Sequence, residues 1–200
     1  MKPALALLIA YLLGAVPFGY LLVKIKTGQD VRTVGSGNIG ATNVLRATGR
    51  WPAILVLLLD IAKGFLAVCF AGVLLGGSPL WMSAAALAVM AGHAFPVFLK
   101  FRGGKAVASC VGAFLCLAPL ALLAALLVFV VVVAKSRYIS LGSISAAATL
   151  PLAVWLINRP DGAVTGAAAV AGAFIIWRHH ENIRRLRAGT ENVAGVVGLG

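Results

Sequence analysis

The stretch from Gly103 to Arg137 reads Gly103-Gly104-Lys105, then AVASCVGAFLCLAPLALLAALLVFVVVVA from Ala106 to Ala134, then Lys135-Ser136-Arg137. As a single helix the apolar part would be about 43 Å long, against roughly 30 Å of bilayer hydrocarbon. That is too long for one comfortable span. Lys100, Arg102 and Lys105 precede the run, and Lys135 and Arg137 follow it. If both basic clusters lie on the cytoplasmic side, as the positive-inside rule favours, the chain must enter the membrane and return. The turn then falls near Pro119, where a missing amide donor ends one short helix and a second begins.

Outward from this run, Pro3 to Val23, Trp51 to Gly76 and Pro79 to Leu99 each supply the length of a span, while Leu141 to Ile157 and Ala163 to Trp177 are shorter. The first stretch runs on through Pro17 to Val23, past the apolar core of a signal peptide, and reads as an anchor. Lys24, Lys26, Arg32, Arg46 and Arg50 put the first loop in the cytoplasm, and Arg178, Arg184, Arg185 and Arg187 put the tail there. Fourteen of the 17 basic residues then fall inside, leaving Lys2, Lys63 and Arg159. The pattern predicts an all-α integral membrane protein with seven transmembrane helices, some short and broken, amino terminus outside and carboxyl terminus inside. The organisation is a single polytopic membrane domain, 1–200, with three cytoplasmic motif loops at 34–46, 92–109 and 178–191. A five-span alternative, with Ala106 to Ala134 crossing once and the next segment not crossing, keeps the same sidedness for the main loops. Short, proline-broken helices at membrane depth are tolerated where they are buried in protein or line a wet cavity, which points to a site on the cytoplasmic half.

Composition agrees. Of 200 residues, 62% are hydrophobic and 11% charged, and the mean hydropathy of +1.03 excludes a water-soluble globular domain. The net charge of +12 is gathered in short clusters between apolar runs, unlike the continuous basic surface of a nucleic-acid binder. Cys69, Cys110 and Cys116 sit in apolar runs without CxxC or Cys/His spacing, so they read as buried packing, with neither a disulfide framework nor a metal site.

The first loop reads VGSGNIGATNVLR from Val34 to Arg46. It contains GxGxxG at Gly35, Gly37 and Gly40, but a membrane span follows where a dinucleotide fold needs a βαβ unit. The physical content survives: glycines let backbone amides approach an anion, Ser36, Asn38, Thr42 and Asn43 add neutral hydrogen bonds, and Arg46 adds a bidentate fork. A tight interfacial turn capping a short helix is the plainer reading. The second loop runs from Gly92-His93 through Pro96, Phe98 and Phe101 to Gly103-Gly104-Lys105, where an apolar helix begins. Gly-Gly-Lys at a helix start reads as an anion cradle, with amides, macrodipole and ammonium aimed at phosphate. It is not a Walker loop, because Leu99 stands where that motif needs glycine and Ala106 where it needs Ser or Thr. Lys100 and Arg102 suit headgroup snorkelling equally well.

In the third cluster, His179 and Asn182 are three apart on a helix and can face one pocket. His180 points about 100° away from His179, a poor metal chelate. For Arg185 and Arg187 a membrane-surface anchor is the default. Asp60 and Lys63 lie well inside the second span, where either charge alone costs roughly 2.5 to 3.5 kcal/mol. They read as a structural ion pair or as a device that orients the site.

Cationic clusters on one membrane face point to an anionic, phosphate-bearing ligand. Neither a GxSxG elbow nor a histidine followed by Asp five positions later is present. Direct transfer from an activated donor needs little more than a pocket that positions two anions and stabilises an oxyanion. A small transporter of a phosphorylated metabolite is the competing class.

Ser36-Gly37-Asn38-Ile39-Gly40-Ala41-Thr42-Asn43-Val44-Leu45-Arg46 resembles the first motif of the bacterial acyl-phosphate-dependent glycerol-3-phosphate acyltransferase family. Gly92-His93, Pro96, Phe98, Phe101, Gly103-Gly104-Lys105 and Val107-Ala108 resemble its second motif, with Ser109 where Thr is expected. His179 with Asn182, then Gly189 and Glu191, resemble its third. The resemblance implies an inner-membrane enzyme, amino terminus periplasmic, that moves an acyl group from acyl phosphate to the 1-hydroxyl of glycerol 3-phosphate, with seven helices, no cofactor, no metal and no protein partner. It implies catalytic roles for Ser36, Arg46, Lys105, His179 and Asn182. Substrate binding would fall to Asn38, Gly40, Thr42, Asn43, His93, Gly103, Gly104 and Glu191, with the Gly103 and Gly104 amides on phosphate oxygens and Glu191 orienting an arginine. The general base is left between His179 and a substrate phosphate.

Overall fold

A computed structural model describes residues 1–158 and 162–193. Arg159, set apart in the charge count, lies outside the described residues. The chain divides into two compact units, Met1–Leu117 and the part from Ala118 onward.

The first unit opens with α1 (Lys2–Ala15) and α2 (Phe18–Thr27). The single helix expected from Pro3 to Val23 is broken, because Pro17 disfavours helical backbone at the residue before it, and Val16 is extended (φ −61°, ψ 113°). A 3₁₀ turn at Val31–Thr33 leads to the short α3 (Ala41–Thr48), then α4 (Arg50–Leu74), α5 (Pro79–Ala94), a second turn at Val97–Leu99 and α6 (Val107–Leu117). α1 packs on α5, α4 packs on α6, and α4 also touches α1 and α5.

Lipid tails are as apolar as leucine, so close helix contact in a membrane depends on small residues. A methyl group on Gly64 of α4 would run into the Ser109 carbonyl of α6. The free thiols of Cys69 and Cys116 meet where these two helices cross, 2.9 Å apart, and Cys110 is buried nearby in α6. Cys110 is buried, as its apolar setting predicts, while Cys69 and Cys116 are half-buried.

The second unit contains α7 (Pro119–Ser136), α8 (Ile139–Ala153), α9 (Gly162–Arg178) and α10 (His180–Arg187). The backbone leaves helical geometry at Ala118 (φ −153°, ψ 68°), directly before Pro119, where the sequence places the break. α7 packs on α8 and α8 on α9. Leu120, Leu123, Leu127, Val130 and Val131 of α7 are left exposed, as a lipid-facing surface requires. Pro151 interrupts the donor series of α8, and the helix loosens into a π-helical turn at Val154–Asn158.

Among the described residues, five stretches are long and apolar enough to cross a bilayer: Lys2–Thr27, Arg50–Leu74, Pro79–Leu99, Pro119–Ser136 and Ile139–Ile157. Val107–Leu117 and Gly162–Arg178 are apolar but shorter.

Candidate active site

The first polar loop rests on a small core. Val23, Val31, Ile39, Val44, Ala53, Val56 and Leu99 are buried together. Leu99 belongs to the second loop, so the two loops share one end of the first unit. Asp30 starts the first loop: it accepts from the Arg32 amide at 2.9 Å and pairs with the Arg32 guanidinium at 2.6 Å. Arg32 also lies over the Tyr20 ring, 5.4 Å from its centre. The hydrogen bond from Arg32 holds the Asp30 carboxyl below its ordinary range.

Asn43 is the centre of this loop. Its side-chain amide donates to the carbonyls of Val31, Val34 and Asn38, at 3.0, 2.9 and 2.9 Å, and its oxygen accepts from the Ser36 amide at 2.9 Å. It is 1% exposed. Its hydrogen-bonding groups thus serve the loop's own backbone. Asn38 accepts from the Gly40 amide at 2.8 Å, a local turn that prepares the start of α3. Gly40 is the N-cap of that helix. Gly35 has a left-handed φ of +57°, and a β-carbon there would strike the Asn43 oxygen. Around this frame Ser36 is exposed, while Thr42 and Arg46 are half-buried on neighbouring turns of α3.

The second loop is built differently. After α5 ends, the chain folds back: the Gly103 amide donates to the Ala94 carbonyl at 3.2 Å and the Gly104 amide to the His93 carbonyl at 3.0 Å. The amides expected to hold phosphate oxygens are here paired with the end of α5. The last carbonyls of a helix need donors, and the loop supplies them. Glycine is required for contact: a β-carbon on Gly104 would run into Nε2 of the His93 ring. Lys100, Phe101 and Ala106 are left-handed, with φ between 53° and 62°, so three further residues hold uncommon backbone to complete the fold-back. Lys105 is half-buried near its end, one residue short of α6. Lys100 lies between Phe98 and Phe101 and Arg102 follows them; both cations are exposed, as are the two rings at 61% and 60%, a grouping suited to the headgroup layer.

In the second unit, His179 is not inside a continuous helix as expected. It occupies the break between α9 and α10, with φ −97° and ψ 10°, and Asn182 lies one turn on. Both are buried. His179 Nδ1 lies 2.7 Å from the Ile175 carbonyl, and because a carbonyl only accepts, Nδ1 carries a hydrogen. The exposed His180 turns instead to the Trp177 carbonyl at 2.9 Å.

Glu191 gathers the rest of this cluster. One oxygen accepts from Asn182 Nδ2 at 2.7 Å and from Ser140 Oγ at 3.1 Å, and the other meets Arg185 Nε at 2.8 Å. Glu191 is expected to orient an arginine, and the arginine it contacts is Arg185. Its default reading as a membrane anchor is corrected to an internal ion pair. Ser140 went unnoticed, since a serine near a helix start carries no signal of a partner 51 residues away. The contact between Asp60 and His93 was missed for the same reason.

The first unit thus presents half-buried Arg46 and Lys105 on two loops with exposed Ser36, and the second presents buried His179 and Asn182, with Asn182 held by the Glu191 carboxylate. The family model described as glycerol-3-phosphate acyltransferase matches residues 4–189. The chain is 49% identical over 184 residues to the glycerol-3-phosphate acyltransferase of Geotalea daltonii, covering 92% of this chain and 93% of that one. It is 51% identical over 185 residues to the enzyme of the same name from Trichlorobacter lovleyi, with 92% and 93% covered. Crystal structures of PlsY (YgiH), an integral membrane glycerol 3-phosphate acyltransferase, are also similar. The glycerol 3-phosphate form has a TM-score of 0.93 at 40% identity over 98% of each chain. The lysophosphatidic acid form has a TM-score of 0.89 at 37% identity, over 98% of this chain and 97% of that one. With a family model across nearly the whole sequence and relatives at about half identity, the chain belongs to the glycerol-3-phosphate acyltransferase family.

Proposed function

We propose that the protein transfers a fatty acyl group from acyl phosphate to the 1-hydroxyl of glycerol 3-phosphate, giving lysophosphatidic acid and inorganic phosphate. The observation that carries this reading is the pair of basic side chains, Arg46 and Lys105, on two loops that share the Val31, Ile39 and Leu99 core. Two cations on a rigid frame suit two phosphates that must be held at a set spacing.

In the reaction the hydroxyl oxygen attacks the acyl carbonyl carbon, the bond from that carbon to the phosphate oxygen breaks, and phosphate departs with its electron pair. Arg46 grips one phosphate as a planar fork and Lys105 meets the other as a point charge. Ser36, Asn38, Gly40 and Thr42 give the first loop its neutral polar surface toward the substrates. His179 and Asn182 serve the same reaction, with His179 held by the Ile175 carbonyl and Asn182 by Glu191. The hydroxyl proton has two competent acceptors, His179 Nε2 and a substrate phosphate oxygen.

We further read the chain as one seven-helix polytopic domain in a bacterial inner membrane, amino terminus periplasmic, carboxyl terminus and motif loops cytoplasmic. The basic clusters at Lys24 to Arg50, Lys100 to Lys105, Lys135 to Arg137 and Arg178 to Arg187 support that sidedness. The test of function is product formation by the purified protein given labelled glycerol 3-phosphate with a long-chain acyl phosphate or an acyl-CoA. Lysophosphatidic acid from acyl phosphate alone supports the reading; product from acyl-CoA alone overturns the donor, and no product from either overturns the transferase. Labelling of single cysteines placed in the loops, from each side of sealed vesicles, tests the sidedness.

A further inference from the structure

Asp60 and Lys63 of α4 and His93 of α5 form a charged cluster in the interior of the first unit, with side chains 3%, 3% and 4% exposed. The Lys63 ammonium lies 2.8 Å from Asp60 Oδ1. It also donates to the Val16 carbonyl at 3.1 Å, at the break between α1 and α2, and lies 5.7 Å from the centre of the Phe18 ring. The same Asp60 oxygen is 3.6 Å from Nδ1 of His93, just beyond hydrogen-bond length.

A simple ion pair would need neither of these additional contacts. The His93 ring has Asp60 at one nitrogen and Gly104 at the other, where a β-carbon would strike Nε2, and the His93 carbonyl receives the Gly104 amide at 3.0 Å. The loop that presents Lys105 is therefore seated on the ring that Asp60 faces. On the Lys63 side the cluster reaches α2, whose Gly19 lies so close to the first loop that a β-carbon would meet the Ile39 carbonyl. One buried cluster thus touches the supports of both cationic loops.

We infer that Asp60 is a positioning residue: it holds the His93 imidazole in the Nδ1–H form and in one plane, and so fixes the Gly103-Gly104-Lys105 backbone relative to the first loop. This rests on the acyltransferase reading for its effect on rate. A histidine and an aspartate that sequence spacing separates are brought face to face across two helices, with the dyad acting on loop geometry rather than on a hydroxyl proton. Lys63 pairs with the carboxylate without taking it away from the ring.

Two double variants separate this from charge compensation. D60N/K63M removes both charges but keeps an oxygen facing His93; D60L/K63M removes both charges and the oxygen. Both are measured in lipid for kcat and for KM toward glycerol 3-phosphate, with thermal unfolding followed in parallel. The tautomer of His93 in the unaltered protein is read from nitrogen-15 spectra of the three histidines, assigned with H93Q. Positioning predicts an Nδ1–H ring in the unaltered protein. It predicts near-normal kinetics for D60N/K63M, and a loss on the order of 10²-fold in kcat/KM for D60L/K63M that also raises KM.

Equal activity of the two variants, or an Nε2–H ring in the unaltered protein, overturns the proposal. If D60L/K63M does not fold, the tautomer and the activity of D60N/K63M decide alone: an Nδ1–H ring with activity kept supports positioning, and loss of either overturns it. If the unaltered protein makes no product while the Nδ1–H ring is present and is lost only in D60L/K63M, the acyltransferase reading fails and the positioning of His93 stands.

Discussion

The two cationic loops of the first unit are both short and glycine-bearing, yet they are stiffened by opposite means. The loop around Ser36 is organised by one side chain, with Asn43 reaching three carbonyls and one amide. The loop before Lys105 is organised by its main chain, through amides paired to the end of α5 and glycine backbone pressed on an imidazole. Glycine accordingly has two meanings. Gly35 is needed for its left-handed φ, whereas Gly104 is needed for the space that a methyl group would occupy. A glycine-rich stretch beside a lysine is thus not by itself a phosphate cradle, because its amides can already be taken by the fold.

This contrast can be attacked from both sides. The largest effect is expected for Lys105→Ala, which should lower turnover by about 10²-fold or more with little change in melting temperature, if the ammonium stabilises charge in the transition state. Near-normal turnover would remove the second loop from the phosphate clamp. Arg46→Lys should approach the same loss, because a point charge cannot replace a planar fork; a change below about threefold would show that the contact is not bidentate. Gly104→Ala leaves every charge in place but displaces the ring of His93, and a loss on the order of 10²-fold is expected from a shift of the lysine by about 1 Å. Crystals or spectra showing an unmoved His93 would contradict the packing argument.

Asn43→Ala probes the other loop. It strands buried carbonyls at about 1 to 3 kcal/mol for each group left without a partner, so thermal stability should fall together with activity. Loss of activity at unchanged stability would return Asn43 to the substrate. The smallest effect is expected at Asp30. Its folded pKa lies below the ordinary 3.8, so its contribution to stability is complete above that value and is lost as pH falls through it toward the folded pKa. Asp30→Asn should abolish this acid-side slope at a cost below about 1 kcal/mol, because the pair is partly exposed.

Much of the architecture was legible because bilayer thickness imposes a ruler on the chain. The break at Pro119 follows from length and charge alone, and the structure leaves helical geometry at the residue before it. The break at Pro17 could have been read from the same proline rule, but the continuous apolar stretch around it concealed the interruption. At the site, residue types indicated chemistry without indicating which partners would claim it. Asn43, Gly103 and Gly104 are competent donors on paper, and the fold has taken those donors for itself. The contact of Glu191 with an arginine was legible, since a carboxylate among arginines has few other partners. The meeting of Asp60 with His93 was not, because spacing along the chain carries no information on which faces of two helices will touch.

The exposed Phe98 and Phe101 on either side of Lys100 have one more consequence. Aromatic rings and a snorkelling cation fix a loop at the boundary between headgroups and tails. A fatty donor dissolved in that boundary layer reaches the enzyme by lateral diffusion, without passing through water. Its effective concentration is then a number of molecules per unit area of membrane, and diluting it with inert lipid should slow the reaction even when the amount in the tube is unchanged.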